Sequence, residues 1–360
     1  MSQAHDFEAP PTPQEAEFLV KRLSSGFNLT DNSSSSTLTP KDDKSLKIAT
    51  FSLQKYLKEP DFAAEFLQRG GLDSLCDIIK SSNGNTLAYA LNSFLSLMEH
   101  DSGWESLDIQ FVTAIAHIVV NEQLATIGRP ATAILHKLVC ANDTHNNSNT
   151  IHCFGYPSLH KGIESEPSFI PTLVERLQSQ DYILCMNSLL LLTGMLKYVT
   201  DEYRSDLTIA LDQSNIKKNV IRLMNNHPPE ELKGALLDYQ AAFIQNINAT
   251  HKITVSVNNP RHVSMFKEIW SAAKVQDDLS KTKKWRKIGF STEVPQREFG
   301  RTGLFGLEEM YFFVKHHQDL YSKLIFEQIH RPEGKSCPFA KASIEVTDLL
   351  CSHWNIASNS

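Results

Sequence analysis

Pro60-Asp-Phe-Ala-Ala-Glu-Phe-Leu-Gln-Arg-Gly-Gly-Leu-Asp-Ser-Leu-Cys-Asp-Ile-Ile79 is the stretch that decides the fold. Phe62, Phe66 and Leu67 recur at the three-to-four spacing of one helix face, and Gly70-Gly71 reads as a helix stop. Leu72, Leu75, Cys76 and Ile79 restart the spacing at once, and Asn83-Gly-Asn closes it. Two short amphipathic helices placed back to back carry apolar faces too large to leave in water, so they need stacked neighbours.

Such neighbours follow on both sides. Upstream, Leu46, Ala49, Leu53, Tyr56 and Leu57 keep the helical spacing from Asp43, and Phe18, Leu19, Leu23 and Phe27 give a short first helix after Pro13. The Ser/Thr/Asn stretch from Thr30 to Thr39 reads as a flexible connection. Downstream come Leu87, Leu91, Phe94, Leu95 and Met98, then Phe111, Ile115, Ile118 and Val119, then Ala133, Ile134, Leu135 and Leu138. Past a polar loop from Asn142 to Glu166, the pattern resumes over Phe169 to Leu177, Ile183 to Tyr198, Tyr203 to Leu211, Ile216 to Met224 and Glu230 to Ile247. This spacing predicts an all-α chain built as an armadillo/HEAT-like helical-repeat solenoid. A compact irregular bundle is the alternative, since no strict signature recurs at a fixed period. Lys252-Ile-Thr-Val-Ser-Val257 is β-rich and alternating, but one short segment is as well read as an extended connector.

With 360 residues, 41% apolar and 21% charged, the chain is long enough for two domains or one extended array of a soluble globular kind. A net charge of −6 argues against a dedicated nucleic-acid binder. Cys76, Cys140, Cys153, Cys185, Cys337 and Cys351 show no CxxC pairing and mostly sit beside aliphatic residues, so they read as reduced core thiols; a disulfide set is the other reading. Met1 to Pro13 has no apolar signal segment, and no run approaches the roughly 20 apolar residues of a spanning helix. Cytoplasm is the expected location. Walker, nucleophile-elbow, zincin and dinucleotide motifs are absent, which excludes the commonest nucleotide-binding and hydrolytic enzyme types, and no cofactor or small-molecule substrate is expected.

The C-terminal third carries separated blocks: Trp285-Arg-Lys-Ile-Gly-Phe290, then Glu298-Phe-Gly-Arg-Thr-Gly-Leu-Phe-Gly-Leu-Glu-Glu-Met-Tyr-Phe-Phe313, then Lys315-His-His-Gln-Asp319, then Cys337-Pro-Phe-Ala-Lys-Ala-Ser343 running on to Cys351. In order and spacing these resemble the opening half of the domain that names the ELMO (engulfment and cell motility) family. Asp61 to Leu67 with Gly71-Leu, and Leu97-Met-Glu-His100 ahead of Trp104, resemble its preceding helical repeats. The resemblance divides the chain into a mostly flexible segment with one short helix (1–40), armadillo-like helical repeats (41–275) and the N-terminal part of an ELMO domain (276–360). Its motif residues here are Trp285, Gly289, Phe290, Phe299, Gly303, Leu304, Leu307, Tyr311, Phe312, His316, His317, Cys337, Pro338 and Phe339.

By that resemblance the chain is a non-catalytic regulatory scaffold. It implies partnership with a Dock-family guanine-nucleotide exchange factor acting on a Rac-type GTPase, in actin remodelling, cell motility and uptake of apoptotic cells. Longer family members add an N-terminal ubiquitin-like domain, the rest of the ELMO domain, a PH domain and a proline-rich tail. Against that pattern this sequence is expected to be a fragment, an alternative product or an incomplete gene model, with weak or absent stimulation of an exchange factor by itself.

Single-domain relatives activate Arf-like GTPases, with an arginine in an Asp-Phe-Arg-Gly setting implicated. A planar guanidinium suits that work because phosphoryl transfer builds charge on the phosphate oxygens. Here Gly300 holds that place, Arg301 stands one residue later and Arg297 precedes the pair. On a helix one step turns a side chain by about 100°, so Arg297 and Arg301 are weak arginine-finger candidates.

The remaining constellations read as structure before chemistry. His316 and His317 with Asp319 lack the spacing that lets two histidines share a metal, and no metal is expected. His145, His152 and His160 with Cys140 and Cys153 are scattered through the polar loop. Pro338 suits a first helical turn, which would set Cys337 near the positive helix end and lower its pKa. Lys281, Lys283, Lys284, Arg286 and Lys287 form the one concentrated basic run, read as a solvated helix start, with an acidic membrane surface or acidic partner as the other reading.

Overall fold

The computed structural model describes residues 12–25, 40–100, 108–141, 155–275, 284–332 and 338–356. Expectations for Phe27, Thr30–Thr39, Trp104, His145, His152, Cys153, Lys281, Lys283 and Cys337 fall outside those residues. Every regular element among the described residues is helical, and no strand occurs there. Cα packing separates two compact units, Met1–Tyr239 and Gln240–Ser360.

In the first unit the helices are α1 (Pro13–Ser25), α2 (Pro40–Tyr56), α3 (Pro60–Gln68), α4 (Gly71–Ser81), α5 (Gly84–Glu99), α6 (Ile109–Asn121), α7 (Ala125–Cys140), α8 (Gly155–Ile163), α9 (Phe169–Arg176), α10 (Tyr182–Tyr198), α11 (Asp201–Gln213) and α12 (Ile216–Asn225). The spine is a row in which α5 packs on α2, α7 on α5 and α10 on α7. Shorter helices cover its sides: α3 and α4 pack on α1, and α6 and α8 pack on each other and on α7. This is the stacked, armadillo-like order that the helical spacing predicts. Each layer buries the apolar stripe of the next, from Leu53 and Phe66 through Phe94 and Phe111 to Leu135, Leu191 and Leu192. The last helix of the row, α10, is apolar nearly all round its middle because neighbours cover it on several sides.

Local chemistry sets the joints. Gly70 ends α3 with φ +73°, a left-handed turn that lets α4 begin at the next residue. Gly71 then lies under the Phe66 ring, where a Cβ would collide with the aromatic carbons. Asp108 and Asp181 cap α6 and α10 by accepting from the Phe111 and Leu184 amides at 2.7 and 2.9 Å. The Arg129 guanidinium on α7 forks onto the Asp181 carboxylate, tying the cap of α10 to its neighbour.

Three expectations need correction. Phe18 does not belong to the buried face of α1: it is 58% exposed, and Ala16, Leu19 and Leu23 supply that face. The polar loop at 142–166 contains a helix, α8, whose Tyr156, Leu159 and Gly162 are buried against α6 and α7. The second compact unit begins at Gln240, earlier than the boundary at 276, because Val255, Phe266 and Ile269 pack into its core.

The unit boundary falls inside α13 (Glu230–Lys252). Beyond it come α14 (Pro260–Ala272), α15 (Lys284–Ile288), a 3-10 helix over Pro295–Gly300, α16 (Gly303–His316), α17 (Gln318–His330) and α18 (Phe339–His353). The segment after Lys252 is the extended connector, not a strand. Helix α16 sits at the centre, packed on α14, α17 and α18. Cys76, Cys185 and Cys351 are buried thiols and Cys140 is half-buried, and none of the four is in a disulfide.

Candidate functional site

Trp285, Phe290, Phe299, Leu304, Leu307, Tyr311 and Phe339 of the motif set share one aromatic core in the second unit. Trp285 meets Phe266, Trp270 and Phe290 edge-on, with ring centroids 5.5 to 6.0 Å apart. Phe299 closes the cluster against Phe266 and Phe290. Such edge-to-face packing adds to plain area burial because each ring edge meets a neighbour's negative face. Leu304 and Leu307 on α16 are buried in the same core.

The glycines serve close approach. Gly289 has φ +101°, and a Cβ there would stand 2.6 Å from the Phe339 nitrogen and 2.8 Å from the Pro338 carbonyl carbon. The bare backbone lets the Gly289 carbonyl accept from the Lys341 amide at 3.2 Å, stitching α15 to α18. Gly303, with φ +56°, lies against the His251 and Ile253 carbonyls, and the next amide, Leu304, donates to Ile253 at 2.8 Å. Pro338 precedes the first turn of α18 as its N-cap residue, not inside that turn; the Phe339 amide donates to the Gln328 side chain at 2.7 Å.

The outward-facing motif residues form no chemical site together. Phe312 is 44% exposed and lies against His316, whose Nδ1 sits 2.9 Å from the Phe312 carbonyl. His317 joins α16 to α17 with its ring against Phe313. The Tyr311 hydroxyl donates to Glu268 at 2.6 Å and accepts from Lys315 at 3.1 Å. Burial, then the Glu268 carboxylate, push the Tyr311 phenol up from its usual range. Among the described residues no group of three or more His, Cys, Asp or Glu side chains could hold a metal ion.

The two arginines are placed differently. Arg301 is exposed, and its guanidinium meets the Asp348 carboxylate of α18 at 2.6 Å. Arg297 is exposed on the 3-10 helix. In the basic run, the Lys284 ammonium stands over the Trp270 and Trp285 rings at 4.6 and 5.6 Å, a cation–π placement rather than a solvated one. Helix α18 turns Val346, Leu349, Leu350 and Trp354 outward, each more than half exposed.

Two family descriptions match this sequence in order: "ELMO, armadillo-like helical domain" over residues 61–225 and "ELMO/CED-12 family" over residues 245–360. The chain belongs to the ELMO family. It is 26% identical over 312 residues to engulfment and cell motility protein 3 of Rattus norvegicus, covering 81% of this chain and 41% of that protein. Engulfment and cell motility protein 1 of Homo sapiens is 22% identical over 336 residues, covering 82% of this chain and 43% of its own. The chain thus spans less than half the length of these relatives. Among solved structures, a designed armadillo repeat protein aligns over 82% of this chain and 98% of its own at 12% identity and a TM-score of 0.42.

Within this ELMO chain, several supports of the motif core carry no sequence signal. The Gln328 amide donates to the Lys287 carbonyl at 2.7 Å while its oxygen accepts from Phe339, so one side chain joins α15, α17 and α18. Glu293 caps α15 by accepting from the Trp285 amide at 3.0 Å, and Glu298 accepts from the Ser291 and Thr292 amides at 3.0 and 2.7 Å. Tyr321 is fully buried, with its hydroxyl on the Ile269 carbonyl at 3.1 Å. Nothing in the local spacing of Gln328 or Glu293 distinguishes them from surface residues; only the folded chain brings their partners within reach.

Proposed function

We propose that this ELMO-family chain is a regulatory scaffold in small-GTPase signalling. It works with a Dock-family exchange factor on a Rac-type GTPase, and through it on actin remodelling, motility and particle uptake. The observation that carries this reading is the ordered match of both ELMO regions, armadillo-like repeats followed by the ELMO/CED-12 segment. The names of its relatives, engulfment and cell motility proteins, point the same way. A stack of helical layers suits the task, since it offers long protein-binding surfaces without a preformed reaction pocket. The motif residues support it too, because they build a rigid aromatic core instead of converging acid, base and nucleophile.

No described helix is long and apolar enough to cross a membrane. We place the protein in the cytoplasm, with recruitment to the membrane periphery alongside its exchange factor. Depleting it from its own cells is expected to lower Rac-GTP and the uptake of apoptotic particles, and the tagged chain is expected to bring down complexes containing a Dock-family factor. Unchanged Rac-GTP and uptake, with no Dock-family protein recovered, would defeat the proposal.

A further inference from the structure

Asn83-Gly84, the chain's single Asn-Gly pair, lies at the joint between α4 and α5. The pair matters chemically because a glycine amide nitrogen, unhindered by a Cβ, can attack the side-chain amide carbon of the asparagine before it. Other asparagines in the same unit are tied down. Asn92 and Asn187 donate their side-chain amides to the Ala88 and Arg129 carbonyls at 2.8 and 3.0 Å. Asn83, by contrast, is exposed, and its side chain makes no capping bond to α5.

The nucleophile is equally unencumbered. Gly84 opens α5, so its N–H has no carbonyl one turn earlier in the helix to bind. No group among the described residues accepts from it. Gly84 has φ +54°, and no heavy atom lies within 4 Å of where a Cβ would stand. Asn83 is extended, at φ −139° and ψ 177°, which leaves its Cβ gauche to the Gly84 nitrogen. A partial turn about the Asn83 Cα–C bond therefore brings Cγ onto that nitrogen, and the conformational freedom of Gly84 absorbs the turn.

We propose that Asn83 is a self-modification site, at which the folded chain converts its own asparagine into isoaspartate and aspartate. Base removes the Gly84 amide proton, and that nitrogen bonds to Asn83 Cγ as the Cγ–Nδ2 bond breaks. The departing nitrogen takes up a proton and leaves as ammonia, closing a five-membered imide. Water then opens one of the two C–N bonds between the ring carbonyls and the Gly84 nitrogen, with no change of oxidation state. Breaking the bond at Cγ yields aspartate at position 83. Breaking the bond at the backbone carbonyl carbon routes the main chain through the side chain, as isoaspartate.

The two products differ in what they do to the fold. Aspartate puts a carboxylate at the N-cap of α5, where the helix end favours negative charge. Isoaspartate inserts an extra carbon between Ser82 and Gly84. It also takes the Asn83 carbonyl, which accepts from the Leu87 amide at 3.3 Å, out of the main chain. Because α5 packs on α2, α4 and α7, the insertion acts on the row of stacked helices and not on a free loop.

The test incubates the full 360-residue chain in native, mildly alkaline buffer and maps the modified position by mass spectrometry. Isoaspartate is scored separately with an isoaspartyl O-methyltransferase, which moves a methyl group from S-adenosylmethionine to the freed carboxylate. Conversion at Asn83 is expected, rising in proportion to hydroxide, with Asn92 and Asn187 unchanged. Its rate is expected to lie about ten- to a hundredfold below that of the urea-unfolded chain, the cost of one strained backbone excursion. Such a rate is far above what the small unfolded fraction of a stable domain supplies. Asn83→Gln, whose longer side chain would have to close a six-membered ring, is expected to abolish both the mass change and methyl acceptance. An unmodified Asn83 after a period that converts the unfolded chain overturns the proposal. So does a native rate that climbs with low urea in step with the unfolded fraction, since the reaction would then belong to the unfolded chain and not to the α4–α5 joint.

Discussion

His136 shows how one buried base sets a pH response. It lies on α7 with its ring edge 3.4 Å from where a Cβ on Gly194 would stand. Burial, reinforced by Lys137 and Lys197, lowers its pKa to about 4. The folded state therefore holds this proton less tightly than the unfolded chain, where the value lies near 6.5. The contribution is intact above about pH 6.5, is lost as pH falls from there to about 4, and changes no further below that. With allowance for solvent screening the loss is about 2 kcal/mol. The melting temperature of His136→Gln is expected to fall less steeply over that window than that of the native protein. Parallel curves would mean that His136 is accessible to protons in the folded state. A second residue-scale expectation concerns Arg301. An arginine finger has to reach into a partner's phosphate, and this one rests on the chain's own Asp348. Phosphate release by Arf-like GTPases is expected to be the same with native protein, Arg297→Ala and Arg301→Ala, whereas a rate rise abolished by either change would restore the finger.

At the scale of elements, the connection from α13 into α16 depends on two close backbone approaches. Gly303 occupies the left-handed region directly against the His251 carbonyl, and any Cβ there overlaps that oxygen. Since this neighbour is backbone and cannot swing aside, Gly303→Ala is expected to cost at least about 3 kcal/mol, the sum of left-handed strain and overpacking. Urea titration of the second unit's aromatic signal checks it; a loss under about 1 kcal/mol would show that the segment after Lys252 yields easily. Legibility divides along the same physics. Helices with strict spacing, such as α3 to α5, could be read from their apolar residues and the Gly70 and Gly84 turns. Helix α8 could not, because Gly155, Pro157 and Gly162 lower its intrinsic propensity and the packing of Gly162 against Val112 is a tertiary fact. The aromatic motif around Trp285 was visible as a pattern, while its clamps, Gln328 and Glu293, were not, since their partners lie up to 41 residues away.

At the scale of the molecule, each of the two compact units has a core of its own kind. The first is a layered aliphatic stack with scattered phenylalanines such as Phe66 and Phe94; the second is an aromatic cluster around Trp285 and Phe299 with Tyr321 beneath it. Opening of a protein proceeds in cooperative pieces, and the protection of an amide reports the piece that contains it. Phe66 is fully buried between α3 and Gly71, so Phe66→Ala leaves a ring-sized void and is expected to destabilise its own stack by about 3–5 kcal/mol. Hydrogen exchange followed by mass spectrometry should then show faster exchange in peptides from α2 to α5, with the amides around Tyr321 and Ile325 keeping their native rate. The two sets are expected to separate because the described apolar groups clustered with Tyr321 run from Ile253 onward, all in the second unit. If instead the peptides around Tyr321 accelerate as much as those of α3, the two cores open as one cooperative body and the division at Tyr239 is geometric only.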